Sequence, residues 1–219
     1  MQPIQTVLFD LDGTLLDTAP DLAYALNALR RASHLPELPL EIIKPTVGYG
    51  SKSMLKLGFN MDDTHEQYPS LLEAFFNTYD TCLARETALF PGMAEVLAHL
   101  EAKNIPWGIV TNKPARFTHL ILDALDLSRR SACTICGDTL NERKPHPAPI
   151  LYACKLLACD PANTVYVGDT ATDIMASKAA GSHSLAALYG YIAENDDPYT
   201  WEADGYLHAP ADLMKWISG

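Results

Sequence analysis

Basic residues are scarce in this chain of 219 residues: 16 Lys+Arg stand against 27 Asp+Glu, a formal net charge of −11. A surface that negative repels polyphosphate backbones and argues against nucleic acid as a partner; a small anion would need a local cation or metal ion. Long apolar runs are missing too, since nothing approaches the ~18–20 uninterrupted apolar residues of a membrane helix, and no membrane association is expected. The first residues carry no basic cluster, and their apolar run stops at Asp10, so they do not read as an export signal. A cytoplasmic location is the expectation. Cysteines number five, an odd count that suits reduced thiols rather than a disulfide framework. Cys133 and Cys136 form a lone C-x-x-C with no second Cys or His pair to complete a tetrahedral site, so zinc or redox chemistry is not expected there. Internal repeats and low-complexity tracts are absent as well.

What remains is an ordinary globular composition, 48% hydrophobic and 20% charged. At ~150 residues per domain, the length allows one large domain or a core with an inserted subdomain. Residues 4–9 form a short apolar, β-branched run ending in acidic residues, which predicts a buried strand. After Asp17 the rhythm becomes helical. Leu22, Ala25, Leu26 and Leu29 recur at helical spacing, Leu71, Leu72, Phe75, Phe76 and Tyr79 make a second stripe, and no strand is expected between them. From about residue 90, strands are predicted at residues 106–111, 132–136, 164–167 and 183–188 and near Tyr206, with helices between them and over 213–217. Such alternation predicts a doubly wound, Rossmann-like parallel α/β sheet. The expected organisation is a catalytic core from residues 1–15 and 89–219, with residues 16–88 inserted as an all-helical cap. Chain crossings near residues 15–19 and 87–91 are expected to act as its hinge.

In a parallel α/β sheet, ligands bind beyond the carboxyl ends of the strands. Asp10 and Asp12 follow the first strand, Thr111 and Asn112 end another, and Gly168-Asp169 ends a third, with Asp173 one helical turn on. Lys144 lies in a loop just before a helix. Each has an ordinary reading alone: Asp12-Gly13 as a turn, Asp169 or Thr172 as a helix cap, Lys144 as a solvated lysine. Jointly these readings fail, because carboxylates converging at one sheet edge repel by several kcal/mol unless a cation sits among them. Oxygen-only ligands favour a hard ion, and Mg²⁺ suits a site that also holds a phosphate. Thr111 and Lys144 then offer a hydrogen bond and a positive charge to an anionic substrate.

Asp10-Leu11-Asp12-Gly13-Thr14, Thr111, Lys144-Pro145 and Gly168-Asp169-x-x-x-Asp173, in that order, resemble the four motifs of the haloacid dehalogenase superfamily. The resemblance covers essentially the whole chain, and Asp12 points to its phosphatase branch. Leu15-Leu16-Asp17-Thr18-Ala19-Pro20-Asp21, Thr111-Asn112-Lys113-Pro114 and Tyr189-Gly190-Tyr191-Ile192 resemble the phosphoglycolate phosphatase group, and within it most nearly the phosphatases of N-acetylmuramic acid 6-phosphate. The resemblance implies hydrolysis of a small phosphorylated metabolite by a monomer or homodimer. Asp10 is then the nucleophile and Asp12 the acid and base. Asp10, the Asp12 carbonyl and Asp169 hold Mg²⁺, with Asp173 orienting waters or the lysine. Thr111, Gly13, the Asn112 N–H and Lys113 contact substrate, and Lys144 offsets charge. Gly48-Tyr49-Gly50-Ser51-Lys52 is the least similar stretch. Its ordinary reading is a helix–helix turn with a solvated lysine; its functional one is that Lys52 meets a carboxylate on the leaving group, with Tyr49 and Tyr191 as a polar wall. Phosphoglycolate carries such a carboxylate, as does the lactyl ether of N-acetylmuramic acid 6-phosphate; another sugar phosphate is the further alternative. A receiver-like phosphoacceptor module shares the acceptor Asp, Thr, Lys and Mg²⁺, but has neither an inserted helical block nor a second carboxylate like Asp12.

Overall fold

Strand β1 (Thr6–Phe9) is buried along its whole length in the computed structural model, which describes residues 3–217. Its side chains alternate between two apolar layers. Val7 and Phe9 join Trp107, Ile109, Val165, Val167 and Leu185 on one face, while Leu8 joins Val110, Ile135 and Tyr166 on the other. A strand covered on both faces can be apolar throughout, which is why residues 4–9 show no polar alternation.

The main sheet adds β4 (Trp107–Val110), β5 (Thr134–Ile135), β6 (Thr164–Gly168), β7 (His183–Ala187) and β8 (Gly205–Leu207), in the order β5-β4-β1-β6-β7-β8, with every neighbouring pair parallel. Helices α5 (Met93–Ala102), α6 (Ala115–Ala124) and α9 (Met214–Ile217) cover the first face. Helices α7 (Ala148–Leu157) and α8 (Ala171–Ala180) cover the second. The expected doubly wound sheet is therefore present. Winding moves outward from β1 through β4 to β5, then crosses to β6 on the other flank of β1. The crevice at such a reversal opens at the carboxyl end of β1, where Asp10 begins the following loop.

Between β1 and α5 lie α1 (Ala19–Ala32), α2 (Leu40–Val47), α3 (Gly50–Phe59) and α4 (Tyr68–Asp80), with α1 packed on each of the other three. Leu22, Ala25 and Leu26 supply the inward stripe of α1, and Phe75 and Tyr79 that of α4. One feature of this interval departs from the sequence reading, which allowed it no strand. β2 (Leu16–Asp17) pairs antiparallel with β3 (Ala88–Leu89), Leu16 opposite Leu89 and Asp17 opposite Ala88. Strands of two residues are too short to show a period, so nothing in the pattern betrayed them. Among the described residues, no helix is long and apolar enough to cross a membrane.

Candidate active site

Past β1 the chain winds tightly. The Leu11 carbonyl accepts hydrogen bonds from the N–H groups of Thr14, Leu15 and Leu16, and Gly13 N donates to the Leu16 carbonyl at 3.0 Å. This winding sets Gly13 at φ +87°, where a Cβ would stand 2.1 Å from Asp169 Oδ2. Only glycine fits both the backbone and the approach.

Asp10, Asp169 and Asp173 are all buried and offer carboxylate oxygens within 4.8 Å of one another. Lys144 is the cation among them. Its Nζ lies 2.9 Å from Asp10 Oδ1 and 2.6 Å from Asp173 Oδ1, and donates to Tyr166 Oη at 2.7 Å. Those contacts use all three ammonium hydrogens. Tyr166 in turn donates to the Val110 carbonyl at 2.8 Å. The other oxygen of Asp173 accepts from Thr170 N at 3.0 Å and Thr170 Oγ1 at 2.6 Å, opening α8. The cap of α8 is thus Thr170, and the ordinary reading of Asp169 or Thr172 as a helix cap does not hold. Among the described residues Asp169 meets no lysine; its oxygens accept from Thr14 Oγ1 and Tyr191 N, each at 2.8 Å.

Charge is therefore unbalanced in a dry place. Burial pushes Asp10 up to about 6, with Lys144 pulling it down and Asp173 pushing it further up. Burial first, then Asp10 and Asp173, hold Asp169 well above the carboxylate range. Burial alone would lower the Lys144 ammonium, but Asp10 and Asp173 outweigh it and the net direction is up. Three carboxylates against one lysine, offering oxygen ligands only, fit a hard divalent cation such as Mg²⁺.

Asp12, two residues from Asp10, has other partners. Lys113 Nζ lies 2.9 and 3.2 Å from its two oxygens, and Thr18 Oγ1 donates to it at 2.5 Å. The Lys113 ammonium also sits 4.9 Å from the centre of the Tyr79 ring, on α4. Thr111 is buried and its Oγ1 accepts from Lys113 N at 3.1 Å, leaving its hydroxyl hydrogen for another acceptor. The Asn112 side chain clasps the Lys144 backbone, donating to its carbonyl at 3.0 Å and accepting from its N–H at 3.1 Å. The structure thus brings together Asp10, Asp12, Gly13, Thr111, Asn112, Lys113, Lys144, Asp169 and Asp173.

Three expectations fare differently. Lys52 does not join the cluster: it is solvent-exposed and paired with Asp63 at 2.7 Å, because the first turn of α3 aims it across the helix–helix loop. Tyr49 is exposed, and its hydroxyl bonds the Asp196 carboxylate. Tyr191 is no open wall; it is buried, donates to Asp17 Oδ1 at 2.7 Å and accepts from Ala19 N at 2.9 Å. It therefore ties Asp169 to the start of α1. Cys133 and Cys136 are free thiols, the former pushed up by burial to about 11, away from thiolate chemistry. Sequence reasoning passed over Thr18, Tyr79 and Tyr166. The only signal for Tyr166 was its place inside the strand that leads to Asp169.

The family described as haloacid dehalogenase-like hydrolase matches residues 7–187. The chain is 41% identical to an N-acetylmuramic acid 6-phosphate phosphatase of Pseudomonas putida, covering 98% of this chain and 96% of that one. It is 43% identical to a phosphoglycolate phosphatase of Xanthomonas campestris pv. campestris, covering 96% and 95%. A crystal structure described as a predicted phosphoglycolate phosphatase from Haemophilus somnus superposes over 100% of both chains with a TM-score of 0.87 at 28% identity.

Proposed function

The chain belongs to the haloacid dehalogenase-like hydrolases, and on that premise we propose that it hydrolyses a small carboxylate-bearing phosphomonoester through an aspartyl phosphate on Asp10. The observation that carries this reading is the unequal surroundings of two neighbouring carboxylates. Asp10 lies at the mouth of the sheet reversal against Lys144, whereas Asp12 is turned to Lys113 and Thr18. In this reading Asp10 attacks phosphorus and Asp12 exchanges a proton with the leaving oxygen.

In this reading the Thr111 hydroxyl, the Asn112 N–H and the Gly13 loop meet phosphoryl oxygens, while Lys144, held by Asp10, Asp173 and Tyr166, contributes its positive charge. Asp12 protonates the departing alkoxide, then takes a proton from the water that attacks the aspartyl phosphate. When bound, Mg²⁺ supplies positive charge that offsets the phosphate dianion. Asp10, Asp169 and the Asp12 carbonyl are the atoms proposed to hold it. Asp173 is committed to Lys144 and Thr170, so its role is to fix the lysine. The work is mostly electrostatic positioning of a transferring phosphoryl group.

Similarity to a phosphoglycolate phosphatase favours a compact leaving group. A second reading, a phosphorylated amino sugar bearing a lactyl ether, draws on the similarity to an N-acetylmuramic acid 6-phosphate phosphatase. Turnover of p-nitrophenyl phosphate and phosphoglycolate with Mg²⁺, abolished by EDTA, is the test. Asp10→Asn should bring both to background with the fold intact; a variant keeping a tenth of the wild-type kcat would sink the assignment.

A further inference from the structure

Lys52 pairs with Asp63 and stands apart from the carboxylate cluster, whereas Lys113 stands within it. Lys113 is buried, with 6% of its side chain exposed, and its ammonium sits 2.9 Å from the carboxylate assigned above as the general acid. Nearby, on α4, the buried Tyr79 hydroxyl faces the Lys113 ammonium and has no acceptor for its own hydrogen among the described residues. A buried hydroxyl whose hydrogen finds no acceptor costs about 1–3 kcal/mol, and native chains leave few of them. The ring itself is fixed, stacked 6.4 Å from Phe75 and tilted against Phe117 at 5.2 Å. An ammonium and a hydroxyl with a free hydrogen, side by side, one from the loop after β4 and the other from α4, are what a carboxylate needs.

We infer that Lys113 and Tyr79 bind the leaving group's carboxylate and thereby select esters in which it is attached to the carbon that bears the ester oxygen. The inference rests on the proposed role of Asp12. Its geometric core is the short Lys113–Asp12 separation. The ester oxygen must come within about 2.6–3.2 Å of Asp12 to receive its proton. An anion held by Lys113 is then one small group away from that oxygen. In 2-phosphoglycolate the carboxyl carbon is two bonds from the ester oxygen. In N-acetylmuramic acid 6-phosphate it is seven bonds away, across the sugar ring. Because Tyr79 belongs to the helical insertion and Lys113 follows a strand of the main sheet, the carboxylate also bridges α4 to the sheet.

The competing account is that Lys113 only neutralises Asp12. Both accounts lower activity when the lysine is removed, so the readout is a ratio: kcat/KM for 2-phosphoglycolate over that for 2-hydroxyethyl phosphate, which carries an alcohol in place of the carboxylate. Damage to Asp12 strikes both esters and cancels. We expect a wild-type ratio of at least about 30, a tenfold or greater fall in that ratio for Lys113→Met, and a threefold or greater fall for Tyr79→Phe, through a raised KM for phosphoglycolate. Lys113→Arg should retain part of the preference. Equal losses on both esters overturn the inference and return Lys113 to charge pairing. So does a wild type that prefers N-acetylmuramic acid 6-phosphate to phosphoglycolate. Should Lys113→Met not fold, an unchanged ratio in Tyr79→Phe overturns it alone. A wild type that hydrolyses none of these esters defeats the phosphatase reading itself, and this inference with it.

Discussion

At the scale of single residues, Asp10 and Asp12 differ in what surrounds them. The Asp10 carboxylate accepts from Leu11 N at 2.7 Å and meets Lys144 in a desolvated corner. Asp12 is more exposed, 17% of its side chain against 12%, and is aimed toward the inserted helices by Thr18 and Lys113. A group so aimed matters most where the leaving oxygen cannot depart without a proton. Asp12→Asn should therefore slow formation of the intermediate from alkyl phosphates at least tenfold more than from p-nitrophenyl phosphate, whose phenolate leaves unaided. Rapid-quench measurement of the first step is the check, since steady-state rates also report a stalled aspartyl phosphate. Equal losses on both esters would make Asp12 structural. Asp10 to Thr14 were legible in the sequence because these residues are adjacent and follow an apolar strand. Tyr166 and Tyr79 were not, since the groups they serve, Lys144 and Lys113, lie 22 and 34 residues away and only the fold unites them. For Lys52 the sequence shows a cation in a loop but not its pairing with Asp63, a contact between residues 11 apart that only the fold makes.

Elements add a second layer of control. The two crossings into the helical insertion are paired with each other as the two-residue β2–β3 ribbon. The return crossing is secured by one buried carboxylate. Asp21, in the first turn of α1, accepts from the N–H groups of Arg85, Glu86 and Thr87 and from the Thr87 hydroxyl. Asp21→Ala would leave these donors without a partner, at about 2–4 kcal/mol in total. For a chain of this size that is a fall in Tm of roughly 4–16 °C, read by calorimetry. The phosphoglycolate preference should survive, because Asp21 acts on the frame and not on the leaving group. A fall below about 2 °C would show that the loop finds other acceptors. The long elements were readable from their periods; the ribbon was not, and Asp21 stood out only through the resemblance of its neighbourhood.

For the molecule as a whole, an excess of acid is concentrated where it does most. The chain carries a net −11, and at the sheet reversal three buried carboxylates face a single lysine. Without a metal ion, burial pushes Asp10 up to about 6 and Asp169 well above the ordinary carboxylate range. Between roughly pH 4 and 6, and higher for Asp169, the native chain then holds more protons than the unfolded one. Where the native state binds the extra protons, stability falls as pH rises, so these groups weaken the metal-free fold toward neutrality. Mg²⁺ competes with those protons and stabilises only the ionised carboxylates, so its benefit must grow with pH. The rise in Tm on exchanging EDTA for excess Mg²⁺ should be clearly larger at pH 7.5 than at pH 5. Asp169→Asn should cut the shift at pH 7.5 to less than half, because it removes a ligand and part of the repulsion together. Equal shifts at the two pH values, or an undiminished shift in Asp169→Asn, would take the metal away from these carboxylates. The three buried carboxylates would then have no cation to serve at the site where a phosphate must bind.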